Sequence, residues 1–132
     1  MTTFDRAPCV LDGVVVADGR IDVASDGGFA VAGEGVFESL PVIDGRPKYL
    51  SLHRARLHRG AELLGLGAAP VEDVMRADVA LLAKARGVES FALRYTLFED
   101  AGRARRLAVA SPLPPPAEKP VALVRAAPPF DG

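Results

Sequence analysis

Between residues 8 and 50 the chain cannot hold a long helix. The stretch PCVLDGVVVADGRIDVASDGGFAVAGEGVFESLPVIDGRPKYL interrupts its short apolar runs with Asp-Gly pairs, and it adds glycines at 28, 33 and 35. Asp-Gly is the favoured centre of a tight hairpin turn, because both positions must take positive φ and neither residue resists it. Strands are therefore expected near 8–11, 13–17 and 21–24. A longer one is expected near 36–43, turning back through Asp-Gly-Arg-Pro into 47–50. The dense glycines at 27, 28, 33 and 35 mark tight backbone. Pro41 cannot donate to a sheet ladder, so its stretch is expected at an edge or a bulge.

The pattern changes after residue 50. A first helix is expected over about 52–65, with Ser51 as N-cap and the glycines of GLG as its end. A second, over about 71–86, starts after Pro70 and stops at Gly87, with Val71, Val74, Met75, Leu81, Leu82 and Ala85 at helical spacing. Then SFALRYTLF, a turn at EDAGRA, and RRLAVAS read as a hairpin. Three segments result: a folded body over 1–110, a proline-rich extended linker over 111–120, and a strand-like run within 121–132. Strands flanking two helices predict an α+β two-layer sandwich, a mainly antiparallel sheet with two helices on one face.

Composition narrows the partners. Sixteen basic and 17 acidic residues leave a net charge of -1, so no long-range field draws the chain to nucleic acid or an anionic membrane. No apolar run is long enough for a signal peptide or a membrane span. The single cysteine, Cys9, excludes an internal disulfide and a Cys-built zinc site, and is expected to be a small buried thiol. These features fit a cytoplasmic protein.

The helix LSLHRARLHRGAELLGL carries an anomaly. Projected at about 100° per residue, Leu52, Leu57, Ala61, Leu63 and Leu64 form a broad apolar side. Arg56 falls close to the middle of that side and His53 also falls there, while Arg54, His58, Arg59 and Glu62 point to the flanks or to solvent. A guanidinium cannot be neutralised, so an arginine there must meet an anionic ligand, pair with one of the chain's own carboxylates, or snorkel to the rim; otherwise the helix is rotated from this projection. His53 reads as a satisfied core or interface histidine, since no pair at metal-ligand spacing is visible.

Taken together, Gly33-Glu34-Gly35-Val36-Phe37-Glu38, the Asp44-Gly45 turn and His53-x-x-Arg56-Leu57 resemble the opening of the class IV (fold-type IV) pyridoxal-phosphate enzymes. That family includes branched-chain aminotransferases, D-amino acid aminotransferases and aminodeoxychorismate lyases. The resemblance implies pyridoxal 5'-phosphate as cofactor, with Arg56 holding its phosphate and Phe37 and Arg94 lining the substrate side. It makes 1–110 the small N-terminal domain and 111–120 the inter-domain linker, with 121–132 either the start of a large domain or a final strand. The family's Schiff-base lysine belongs to that large domain. Lys48, Lys84 and Lys119 lie in no matching context, so no catalytic residue is assigned and the chain alone is expected to be inactive. The implied partners are a large PLP-binding domain or partner chain, a second copy in a homodimer, and an amino acid or amino-chorismate-type substrate. The alternative is a non-catalytic anion-binding or assembly module derived from such a domain. One departure from the family pattern stands out: Phe98, Glu99 and Asp100 occupy the place where many relatives carry Thr-Arg-Gly.

Overall fold

The computed structural model describes residues 7–25, 29 and 33–114. Strands β1 (Cys9–Leu11) and β2 (Val14–Val16) are joined by Asp12 and Gly13, both at positive φ, in the tight turn that this dipeptide prefers. Beyond β2 the chain runs to Ser25 without entering the sheet, which corrects the expected strand at 21–24. Its backbone is met by a side chain instead: the Ala24 N–H donates to Asp100 Oδ1 at 2.7 Å.

Strand β3 (Gly35–Ile43) turns through Asp44 and Gly45, again at positive φ, into a two-residue β4 (Arg46–Pro47). The expected strand over 47–50 stops there. Tyr49 takes a left-handed conformation, and helix α1 (Leu50–Leu63) begins directly after it. Ser51 therefore lies inside the first turn and caps nothing; its hydroxyl donates to Glu72 Oε2 at 2.7 Å. Helix α2 (Glu72–Arg86) has acids in its first turn, bases in its last and Gly87 as a left-handed cap, an arrangement that matches the helix dipole at both ends. Strands β5 (Phe91–Asp100) and β6 (Arg103–Ser111) form the expected hairpin, with its turn shortened to Ala101 and Gly102.

All six strands pair antiparallel in the order β2-β1-β6-β5-β3-β4. One face carries Val10, Leu40, Val42, Phe91, Leu93, Tyr95, Leu97, Ala108 and Ala110 against Leu50, Leu57 and Ala61 of α1 and Met75, Val79 and Leu82 of α2. The fold is the expected α+β sandwich with both helices on that face. Pairing between β3 and β5 runs unbroken from Gly35↔Phe98 to Val42↔Phe91, so Pro41 sits in no bulge. Its carbonyl accepts from Lys48 N at 2.9 Å, and its ring nitrogen faces the same outer side, where no bond to β5 is lost. Because β4 reaches only Val42 and Ile43, β3 is an edge strand from Gly35 to Pro41 among the described residues.

The helices differ from their projection in which side they bury. On α1 the buried residues are Leu50, Leu57 and Ala61, whereas Leu52, Leu63 and Leu64 are exposed. Gly60 sets this rotation: a Cβ there would stand 3.0 Å from Val36 Cγ1, so the helix presses its smallest side to β3. On α2, Val71 and Leu81 are exposed, and Asp78 lies among the buried residues. The linker beyond Pro114, Lys119 and the run in 121–132 lie outside the described residues.

Candidate functional site at the edge of β3

Alternation along β3 sends neighbouring side chains to opposite faces of an edge strand. Glu38 turns to the helix face, where its carboxylate, 12% exposed, lies 2.7 Å through Oε1 from His53 Nδ1 and 3.6 Å through Oε2 from Arg56 Nε. His53 and Arg56 are one helical turn apart on α1, so a single carboxylate spans both. The Arg56 side chain is 55% exposed. It is therefore not centred on the apolar side; it pairs at the rim with the chain's own Glu38. Among the described residues the two terminal nitrogens of its guanidinium make no hydrogen bond, and Nε is the nitrogen nearest Glu38, at a distance of ion pairing beyond hydrogen-bond reach.

Phe37 and Arg94 occupy the other face. Register places Phe37 opposite Thr96 and Ser39 opposite Arg94, so the two side chains meet diagonally, with Arg94 Cζ 3.9 Å from the Phe37 ring centroid. Phe37 is half exposed and is no core residue. Arg94 makes no ion pair among the described residues. Leu93, Tyr95 and Leu97 point the opposite way, into the core.

The remaining charges of α1 are structural. Arg54, expected on a flank, donates through Nε to Pro70 O at 2.8 Å and through a terminal nitrogen to Ala69 O at 3.1 Å. His58 Nδ1 accepts from Ala69 N, and its Nε2 faces Glu62 at 3.2 Å. Both residues tie the loop before α2 to α1, while Arg59 and Glu62 are exposed.

A second ionic cluster ties α2 and the β1–β2 turn to the central strands β5 and β6. Asp12 accepts from Arg105 Nε at 2.6 Å and from Arg106 N at 2.9 Å, while buried Asp78 accepts from Tyr95 Oη at 2.6 Å and Arg106 Nε at 2.8 Å. Burial and the hydrogen bond to Asp78 push the Tyr95 hydroxyl well above its ordinary value. The same bond to Asp78 raises Arg106. Burial pushes the Asp12 carboxyl up, but the N–H of Arg106 and the Arg105 guanidinium outweigh it and hold it below the usual range. Phe98 is buried and stacks on Phe29 with ring centroids 4.3 Å apart, and Asp100 holds Ala24. Two of the three residues standing in place of Thr-Arg-Gly thus pin the segment that follows β2 and the residue Phe29 against the sheet. Cys9 is buried as expected, and burial raises its thiol. Among the described residues no group of three or more possible metal ligands occurs, and no helix is long and apolar enough to cross a membrane.

Motif pattern located Phe37, Arg94 and Arg56. Glu38 belongs to the same motif, but its pattern carries no signal of the His53 and Arg56 partners. Asp78, at i+3 from Met75 and beside Val79, was hidden by a helix pattern that tracks apolar positions only.

The α+β sandwich with an exposed arginine beside the edge strand β3 defines the class of fold to compare with known proteins. A family model described as amino-transferase class IV matches residues 35–130, and the chain belongs to that family. No curated protein matches the sequence. Among solved structures, a hypothetical aminotransferase from Mycobacterium tuberculosis in its PLP-bound form is 28% identical, with a TM-score of 0.65 over 82% of this chain and 40% of that one. A fold IV transaminase from Curtobacterium pusillum is 27% identical, with a TM-score of 0.63 over 83% of this chain and 44% of that one. The branched-chain aminotransferase of Thermoproteus uzoniensis shares the fold at 21% identity, with a TM-score of 0.68 over 81% of this chain and 41% of that one. The chain therefore spans well under half the length of these structures.

Proposed function

We propose that this chain is the small-domain portion of a pyridoxal-phosphate-dependent aminotransferase or aminodeoxychorismate-lyase-like enzyme. It grips the cofactor phosphate with Arg56 and forms part of the substrate wall with Phe37 and Arg94. The observation that carries the reading is the Arg56 fork: Nε is the nitrogen nearest Glu38 and the two outer nitrogens make no hydrogen bond among the described residues, which is the donor set a phosphate oxygen pair requires. A ligand lying along the edge of β3 would meet Arg56 on one side and the Phe37–Arg94 stack on the other. The cofactor, when bound, supplies the electron sink for the reacting carbon. This chain's residues bind and orient; the lysine that holds the cofactor and moves protons is brought by a large domain or partner chain. The substrate is an amino acid or an amino-chorismate-type compound, and the working form is a cytoplasmic dimer of completed subunits.

The test is reconstitution. Purified chain mixed with a candidate large domain is expected to give cofactor absorbance and amino transfer, or pyruvate release from an amino-chorismate substrate. Arg56→Lys should weaken pyridoxal phosphate binding at least about tenfold, since a lysine cannot offer the bidentate fork. Equal cofactor affinity in wild type and Arg56→Lys would sink the assignment. Phosphate binding without any activity in any pairing would instead favour an anion-binding module.

A further inference from the structure

We propose that Glu38 is the positioning residue of the Arg56 phosphate grip, with His53 as its anchor; this rests on the reading of Arg56 given above. On charge alone a carboxylate beside an anion site is adverse, because it repels the ligand that the arginine attracts. Its presence there, 12% exposed and 2.7 Å from His53 Nδ1, requires another account. Arg56 is long, and its side chain is more than half exposed, so without a partner its guanidinium would sample many rotamers and lose that entropy on binding. Glu38 sits on a strand whose register to β5 is unbroken, so its backbone is fixed. His53 engages one carboxylate oxygen at 2.7 Å, which leaves the other as the oxygen nearest Arg56, 3.6 Å from its Nε. The three residues form a relay from a rigid strand to a mobile donor. Glutamine is a weaker replacement: its amide can still reach His53 and Arg56, but it loses the charge that holds the guanidinium.

The experiment uses the full 132-residue chain with inorganic phosphate as the probe and NMR of the arginine Nε–H groups as a direct readout. In the wild type the Arg56 Nε–H should exchange with water markedly more slowly than that of solvated Arg59, and in Glu38→Gln this protection should be lost. Glu38→Gln should also weaken phosphate binding roughly tenfold, and adding it to Arg56→Lys should weaken binding no further. His53→Ala, which leaves the carboxylate but removes its hydrogen-bond partner, should fall between wild type and Glu38→Gln; it carries the same comparison if Glu38→Gln does not fold. Unchanged Arg56 exchange, or phosphate binding in Glu38→Gln equal to or tighter than wild type, would overturn the proposal. Failure of the Arg56 reading is a separate result, seen as equal phosphate affinity in wild type and Arg56→Lys. In that case the exchange measurement still decides whether Glu38 positions the guanidinium.

Discussion

At the residue scale, two carboxylates do opposite kinds of work. Asp78 is sealed between α2 and the hairpin, where it satisfies the Tyr95 hydroxyl and Arg106 together. Replacing it with alanine would leave a buried hydroxyl unpaired and an arginine without its counter-charge. We expect a loss of about 3 kcal/mol, read as a lower urea midpoint with an unchanged slope. Asp12 is exposed enough to titrate, and its folded carboxyl lies below the ordinary range. Its stabilising contribution is therefore complete above about pH 4 and is lost as pH falls through the lower folded value. Asp12→Asn should be less stable than wild type at neutral pH, with the difference shrinking in acid. Thermal melts across that range would show it, and a constant difference would count against the assignment. Neither carboxylate was singled out in the sequence, because hydrophobic periodicity assigns an acid to solvent and says nothing about which acid finds two donors.

At the element scale, turns and close approaches decide how strands and helices meet. Ala101 holds a positive φ at the first central position of the β5–β6 turn, where an L-residue with a Cβ is strained. Ala101→Asn should stabilise the chain by about 0.5–1 kcal/mol, visible as a higher melting temperature. Helix α1 packs through Leu57, almost wholly buried, and Gly60. Leu57→Ala is expected to cost about 2–5 kcal/mol in chemical denaturation. Leu63→Ala, at an exposed position the helix projection had placed on the apolar side, should change stability by no more than about 0.5 kcal/mol. This pair of substitutions distinguishes the observed rotation from the projected one. The hairpin, both helix spans to within two residues, and the edge character of β3 at Pro41 were legible, because turn dipeptides, proline chemistry and flanking glycines act locally. The rotation of α1 was not, since it is set by a glycine against a valine on another element.

At the scale of the whole molecule, the antiparallel sheet puts helices on one face and leaves the Phe37–Arg94 pair uncovered on the other. Phe37→Ala should leave the fold intact, with a stability change within about 0.5 kcal/mol, because half of the ring is already in water. If the chain works as proposed, the same substitution in a reconstituted enzyme should raise KM for the amino substrate while cofactor absorbance persists. Loss of both together would place Phe37 in the scaffold instead of the substrate wall.

The sequence by itself determined the architecture and the family. Asp-Gly turns, helix ends and the spacing from Gly33 to Leu57 are short-range instructions, readable without knowing what packs where. It also marked Arg56, Phe37 and Arg94 as the residues of interest. Only the tertiary structure decided that Arg56 stands exposed at the rim beside Glu38, and that Arg94 lies on the Phe37 ring. It likewise decided that Arg54 and His58 serve the loop before α2. The physical reason is that partner choice among like charges depends on which elements meet and at what rotation. That is set by the sum of packing across the sheet, and no local pattern encodes it.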